Sequence, residues 1–413
     1  MKLSEELKTK RAKYDFFDGF VLAAVLILSA IGVLIVFSIT GTSPFNNRGG
    51  DRLSYMLHSA TGVILGISAM AFMTVIPNKL FRKKWGFFIL CGTILIFVIT
   101  PIWGQYVYSS PGVRRWLEIP GIIRFQAVDL ARIGFTLSLP WLIQNLIDKR
   151  KYYSKKICSF YLIPLLYVFF CTFLIFLQPD LGSAIVIFLT GMIVFFSSGL
   201  HVKQITFLFS LAAIALTVIA VLGPYVLNLF AYQMDRINVW RDPFNHDNGL
   251  QSTMGFVSIA LGGWTGVGLG ESTQALGFAI EPHTDLIVTI LSEELGVLTV
   301  IMVIFLYFAI AFRCFLIALK ARDVFSALTC IGIGSFFLVQ PLVNLGGASG
   351  IIPLSGVTLP LISYGMTSKI STFILIGVYF NMRRYILVDF EKSKVQKEKK
   401  EEVGNNVLTL SSF

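Results

Sequence analysis

The sequence predicts an all-α polytopic membrane protein with ten transmembrane helices, both termini cytoplasmic and a large extracellular loop between helices seven and eight. Composition is the first reason: 55% of the 413 residues are hydrophobic and 14% are charged, more apolar surface than one soluble core could bury. Run length is the second, because the apolar residues gather into ten runs long enough for a hydrocarbon layer of about 30 Å. Charge placement is the third. Most of the 34 Lys and Arg residues fall in the N-terminal segment, in alternate connections and in the tail, as cytoplasmic retention of positive charge requires.

In order, the runs lie near residues 17–39, 56–76, 85–103, 127–147, 157–177, 181–200, 203–223, 285–312, 324–345 and 358–382. The polar segment before the first carries Lys2, Lys8, Lys10, Arg11 and Lys13, and no small-residue cleavage motif follows. The first run therefore reads as an uncleaved span rather than a signal peptide. Lys79, Arg82, Lys83 and Lys84 mark the second connection as cytoplasmic, and Lys149, Arg150, Lys151, Lys155 and Lys156 mark the fourth. Past Phe390 the apolar period gives way to a Lys/Glu-rich stretch, so a membrane domain over 1–389 and a disordered cytoplasmic tail over 390–413 are expected. The net charge of +11 is accounted for by topology and by attraction to membrane lipids, and nucleic acid is not needed as a partner. Five cysteines (Cys91, Cys158, Cys171, Cys314, Cys330) sit in or beside apolar runs without CxxC spacing, which implies packing rather than a disulfide framework or a zinc site. No internal repeat suggests an inverted-repeat transporter.

Two outer segments, 104–126 and 224–284, are longer than a connection requires and rich in aromatics and glycines, so they are the expected working surface. The first holds Arg114, Arg115 and Trp116, with Asp129 and Arg132 close behind. Guanidinium groups there suit bidentate binding of phosphate or carboxylate; an interfacial anchor of Trp and Arg on lipid headgroups is the alternative. The turn Gln178-Pro179-Asp180 precedes the sixth run, where Asp180 would also serve as a helix N-cap. The second segment carries Asp235-Arg236, Trp240-Arg241, Gly249-Leu250-Gln251 and a glycine series from Gly262 to Gly270. No βαβ unit surrounds these glycines, so a dinucleotide fingerprint is rejected. They are expected to bring backbone close to a ligand or to a neighbouring helix.

The outer loop ends in Glu281-Pro282-His283-Thr284-Asp285, which leads into the eighth run with Asp285 in its first helical turn. Carboxylates are expensive near the membrane core, by roughly 2.5–3.5 kcal/mol at its centre, so the default reading of Asp285 is functional. Glu293 and Glu294 follow two turns later, about 12 Å along the axis, and are expected to form structural ion pairs. Metal binding by His246 or His283 with Asp285 lacks ligand spacing, and no metal site is assigned. Charges within the runs otherwise gather toward the outer ends, at Arg132, Asp180, Asp285 and Lys369.

Several motifs then carry a family resemblance. They are Gly112-Val113-Arg114-Arg115-Trp116, Gln178-Pro179-Asp180-Leu181-Gly182, Asp242-Pro243-Phe244, His283-Thr284-Asp285, Glu293-Glu294-Leu295-Gly296 and Pro353-Leu354-Ser355-Gly356-Val357-Thr358-Leu359-Pro360 with Ser363-Tyr364-Gly365. In this order they resemble the SEDS (shape, elongation, division and sporulation) family, the group that includes RodA and FtsW. The resemblance covers about residues 15–385. It implies a peptidoglycan glycosyltransferase of the bacterial cytoplasmic membrane that polymerises lipid II onto a lipid-linked glycan chain at the outer face, with a class B penicillin-binding protein as partner. Asp285 takes the position of the family's essential aspartate and would act as catalytic base. Arg114, Arg115, Trp116, Gln178, Asp180, Arg236, Arg241, Gln251 and His283 become candidate substrate-binding residues, and Glu293, Glu294, Asp129 and Lys369 candidate ion-pair or support residues. The chain departs from the family at Gln126-Ala127-Val128-Asp129, where Gln-Pro-Ser-Glu is usual, and at Gly365-Met366-Thr367-Ser368, where Gly-Gly-Ser-Ser is usual. The elongation, division or sporulation subtype stays open. So does assistance by Mg²⁺ or Mn²⁺. A precursor flippase and a non-catalytic scaffold for the penicillin-binding protein are the rival readings.

Overall fold

The computed structural model describes residues 17–42, 52–107, 110–119, 123–149, 161–199, 231–273 and 286–410. Helices α1 (Gly19–Thr42), α2 (Arg52–Val75) and α3 (Lys83–Trp103) come first, with a 3₁₀ turn at Asn78–Phe81 between the last two. An antiparallel three-stranded sheet follows, made of β1 (Gln105–Val107), β2 (Ser110–Ile119) and β3 (Ile123–Gln126). The remaining helices are α4 (Ala127–Asp148), α5 (Leu162–Phe176), α6 (Leu181–Phe196), α7 (Ala231–Arg241), α8 (Leu250–Gly262), α9 (Ile287–Ala318), α10 (Val324–Ala348) and α11 (Met366–Leu410). The protein is mostly helical, and five described helices are long and apolar enough to cross a membrane: Gly19–Ile39, Leu53–Val75, Trp85–Trp103, Ile287–Ala318 and Val324–Ala348.

Helix α9 shows how the apolar pattern is spent. Leu298, Ile301, Met302, Phe305, Phe308 and Phe312 form an exposed stripe at helical spacing, while Val300, Val303, Tyr307 and Ile310 are buried on the other side. An outward apolar stripe of this kind suits lipid. The inward residues join those of α1, α10 and α11 in one buried cluster, and α3, α4, α5 and α6 form a second. Helices α2 and α11 pack with their backbones close: a Cβ at Gly377 would meet the Met70 carbonyl oxygen at 2.5 Å. Lipid offers no hydrophobic drive between helices, so small residues that permit close contact supply the attraction instead.

Ion pairs tie one end of the bundle. Arg313 donates to both oxygens of Asp18, at 2.8 and 2.9 Å, and Arg383 approaches the same carboxylate at 3.9 Å. Arg82 donates to Asp323 at 2.7 Å and lies over the Phe325 and Tyr385 rings. This is the end that carries the positively charged connections. The sheet and the starts of α6 and α9 lie at the opposite end, since successive helices alternate in direction.

Four departures from the sequence reading have physical reasons. The sheet replaces part of the expected outer loop, because its short strands leave no mark on a pattern measured over span lengths. Helix α8 is a 13-residue apolar helix inside the large expected loop, too short to be counted as a span. The tenth span begins as irregular chain, and its helix starts only at Met366. The same helix continues to Leu410 through the stretch expected to be a disordered tail; Glu, Lys and Gln are strong helix formers even where no apolar face exists. The seventh expected run, 203–223, lies outside the described residues.

Candidate active site

The segment between α10 and α11, residues 349–365, is irregular chain of turns and bends inside a helical bundle. Irregular backbone within an apolar surround needs a partner for each polar group. Side chains supply them: Asn344 donates to the Val357 carbonyl and Gln340 to the Thr358 carbonyl, each at 2.6 Å. The Ser363 hydroxyl accepts from the Leu359 amide at 2.8 Å, and the Tyr307 hydroxyl donates to the Pro360 carbonyl. Ser355, Val357, Leu359, Leu361 and Ile362 are buried as a result.

The start of α6 and helix α7 meet this segment, and β2 and α4 are tied beside it. Gly182, at the start of α6, lies so close to Ser355 and Val357 that a Cβ would meet the Ser355 carbonyl oxygen at 2.5 Å. Asp180 caps α6 by accepting from the Ser183 amide at 3.1 Å, which is the capping role foreseen for it. Its other oxygen lies 3.7 Å from Nε of Arg115, whose Nη2 donates to the Pro179 carbonyl. Strand β2 is thereby fixed to the α6 start. From α7, Arg236 donates to the Leu354 carbonyl, and Trp240 Nε1 donates to that of Gly350 at 2.8 Å. On α4, Asp129 pairs with Arg132 at 3.4 Å and accepts from the Thr367 hydroxyl at 3.1 Å. Arg132 is buried over the Phe336 ring, and its Nε and Nη1 make no hydrogen bond among the described residues.

Helix α9, whose Tyr307 holds the Pro360 carbonyl, is not one continuous helix. Gly296 adopts φ 81° and ψ 164°, and the chain around Gly263–Gly268 is inserted at the break. Val267 and Gly268 amides donate to the Glu293 and Glu294 carbonyls at 2.9 and 3.0 Å, while the Val297 amide donates to the Gly263 carbonyl at 3.0 Å. The glycine series therefore serves a neighbouring helix. A Cβ at Gly266 would meet the Glu294 carbonyl oxygen at 2.2 Å. From Leu286 to Glu294 every residue is buried, so this half-helix is surrounded by protein. Val297–Ala318 alone is about 33 Å long, enough to cross the hydrocarbon.

Glu293 and Glu294 are thus not ion-pair members as expected: among the described residues no cationic side chain meets them. Glu293 accepts from Ser272 Oγ at 2.7 Å and from the Thr273 amide and hydroxyl at 2.9 and 3.0 Å. Glu294 accepts from Ser38 Oγ at 2.7 Å, and Ser38 belongs to the last turn of the Gly19–Ile39 span, which sets the glutamates near the end of the bundle rather than deep within it. Lys369 likewise forms no ion pair among the described residues; it donates to the Ser59 hydroxyl on α2.

Asp285 and His283 lie outside the described residues. Leu286, the residue after Asp285, is buried beside Gly255 of α8, and Gly255 also faces the Ala348 carbonyl at the end of α10. Arg114 pairs with Tyr106 across β1 and β2 through the backbone, and Trp116, half-buried, pairs with Gln126 of β3. Gln178 is buried and donates to the Phe97 carbonyl at 3.3 Å. Arg241 is exposed at the end of α7, and Gln251 is half-buried in the first turn of α8. His246 approaches Asp235 at 3.5 Å, and no cluster of three metal-ligating side chains occurs among the described residues. Gln340, Asn344 and Arg132 were not among the candidate site residues. Two amides one turn apart in an apolar run were the available signal for the first two.

Replacing Arg115 with Ala would leave the buried Asp180 without its cation. A loss of about 3 kcal/mol in stability is expected, read as a lowered melting temperature in detergent and relieved by a second change, Asp180→Asn. An unaltered melting temperature would remove Arg115 from this structural role.

Comparison with known proteins adds the following. The family model for FtsW/RodA/SpoVE, described as cell cycle proteins, matches residues 19–386. The chain is 31% identical over 366 residues to a probable peptidoglycan glycosyltransferase FtsW of Thioalkalivibrio sulfidiphilus, covering 87% of this chain and 88% of the relative. It is 30% identical over 400 residues to the protein of the same description from Bacillus subtilis, covering 95% of each. Among solved structures, a chain from work described as structural coordination of polymerization and crosslinking by a peptidoglycan synthase complex superposes with a TM-score of 0.71 at 25% identity, over 90% of this chain and 98% of that one. The rod shape determining protein RodA of Thermus thermophilus shares the fold, with a TM-score of 0.60 at 22% identity over 89% and 97% of the two chains.

Proposed function

This chain belongs to the FtsW/RodA/SpoVE family of cell cycle proteins, and from that premise we infer that it is a peptidoglycan glycosyltransferase that polymerises lipid II at the outer face of the bacterial cytoplasmic membrane. The observation that carries the reading is the meeting of the α6 start and α7 with segment 349–365, with β2 fixed to the α6 start, at the end of the bundle opposite the basic connections. That segregation supports a topology of ten spans with both termini cytoplasmic and the site outward. It also supports one membrane domain over 1–389, with 390–413 as a cytoplasmic extension. A class B penicillin-binding protein is the proposed partner, in keeping with the synthase complex to which the fold is similar.

In the proposed reaction the 4-hydroxyl of the incoming sugar attacks the anomeric carbon of the growing chain. A new C–O bond forms, the bond to the lipid diphosphate breaks, and the hydroxyl proton passes to Asp285 as general base. Negative charge then gathers on the departing diphosphate, where positioned cations lower the barrier. Arg115 and Arg236 hold backbone carbonyls of the site. We therefore assign the charge-stabilising role first to Arg132, whose Nε and Nη1 make no hydrogen bond among the described residues, with Arg114 and Arg241 as further cations. Trp116, Gln178, Asp180, Gln251 and His283 complete the substrate path in this reading. No resident cofactor is assigned; Mg²⁺ or Mn²⁺ would arrive with the diphosphate.

Purified protein incubated with labelled lipid II tests the assignment: glycan polymer is the expected product, and its absence under conditions in which the penicillin-binding partner is also supplied would contradict it. Arg132→Lys keeps the charge beside Asp129 but loses the planar fork, so kcat/KM is expected to fall about tenfold with the melting temperature retained. An unchanged kcat/KM would return Arg132 to a purely structural role.

A further inference from the structure

We propose that Glu293 is a positioning residue for the reaction: by gripping Ser272 and Thr273 it sets the orientation of the half-helix Leu286–Leu295, to whose first residue the proposed base Asp285 is directly bonded. The proposal rests on the functional reading above.

The break at Gly296 removes the continuous hydrogen-bond ladder that would otherwise align the half-helix with the rest of α9. Something outside the helix must then fix its rotation and height. Backbone bonds from Gly263–Gly268 act at the break itself. The carboxylates act beside it. Glu293 is fully buried and both its oxygens are engaged, Oε2 by the Ser272 hydroxyl and Oε1 by the Thr273 amide and hydroxyl. Three donors arranged around one planar group hold a side chain in one rotation, and here they hold a chain segment that is itself anchored to the break through Val267 and Gly268. Glu294 gives a second tie, to Ser38 on α1. Asp285 is joined to Leu286 by one peptide bond, and Leu286 is buried. A shift of the half-helix therefore moves Asp285 with it. Displacement of a reacting group by about 1 Å costs on the order of 100-fold in rate without weakening substrate binding to match.

The geometry also says which substitution is mild. In Glu293→Gln the amide oxygen still accepts from Thr273, and the amide nitrogen donates to the Ser272 hydroxyl oxygen. Glu293→Ala keeps nothing. The full-length chain would be compared as wild type, E293A, E293Q and the double variant S272A/T273V, with D285N as control. Steady-state polymerisation of lipid II gives kcat and KM, and hydrogen exchange gives the protection of the Leu286–Leu295 amides.

E293A is expected to lower kcat by about 100-fold with KM within about twofold of wild type, and to speed exchange in Leu286–Leu295 but not in Val297–Ala318. E293Q should keep kcat within about fivefold, and S272A/T273V should lose about tenfold. Wild-type kcat in E293A overturns the proposal. So does an E293Q as slow as E293A, because that result assigns Glu293 to proton transfer or cation binding. Should E293A fail to fold, S272A/T273V decides, and wild-type kcat and exchange in that variant overturn the proposal. Polymer from D285N at the wild-type rate would instead strike the functional reading and leave the clamp to be judged by exchange alone.

Discussion

Asp285→Asn is expected to lower the rate of lipid II polymerisation by about 10²–10⁴-fold while the protein expresses, inserts and melts as wild type. The change is nearly isosteric and removes only the capacity to take up a proton. General-base assistance contributes about 10²–10⁴-fold, so kcat should fall within that range with little change in KM. The half-helix that follows is buried from Leu286 to Glu294, and the substitution leaves every one of those residues unchanged. Rates from single-turnover assays with labelled lipid II, compared at equal amounts of folded protein, check the expectation. A mutant polymerising at the wild-type rate would remove Asp285 from the chemistry.

The second large effect belongs to Gly296→Ala. At φ 81° an L side chain is strained, and the added Cβ would lie 2.3 Å from the Trp264 carbonyl oxygen and 2.6 Å from the Gly266 amide nitrogen. Both are backbone atoms held by the hydrogen bonds at the break, so neither yields cheaply. A destabilisation at the upper end for single substitutions, about 4–5 kcal/mol, is expected. Poor recovery of folded protein or a sharply lowered melting temperature would be the readout. Gly92, which has nothing within 4 Å of a built Cβ, provides the matched control. If Gly296→Ala and Gly92→Ala melt together, the break in α9 is not what holds this end of the bundle in place.

Much of this architecture could be read from the residues, for reasons that also explain the omissions. Runs such as 127–147 and 324–345 matched α4 and α10 closely, because an uninterrupted apolar run of span length has few other uses. The break at Gly296 left no such trace: a single glycine within an apolar helix pattern is common, and only the approach of Gly263–Gly268 from a distant part of the chain makes it a break. Glu293 and Glu294 announced themselves as costly, yet their partners could not be named, since Ser38, Ser272 and Thr273 look like ordinary loop and helix residues until tertiary contact joins them. Asp180 was legible as a cap from its place beside Pro179 and Gly182, whereas its contact with Arg115 depends on a strand that hydropathy did not reveal. Pro353, Gly356 and Pro360 entered only through the family motif, and the apolar residues after Thr358 drew half of that irregular segment into the tenth expected span. Lys369 was placed in that span, and its partner, a serine on α2, carries no charge pattern to follow.

Outer-face placement of the break and its clamp is the claim on which the rest stands, and side-specific thiol labelling tests it most directly. Glu271 is exposed beside the buried Ser272, so Glu271→Cys in a background lacking the five native cysteines offers a single reactive group next to the clamp. A membrane-impermeant maleimide added to intact spheroplasts should modify it without permeabilisation. Modification only after the membrane is opened would place this end of the bundle in the cytoplasm and contradict the account.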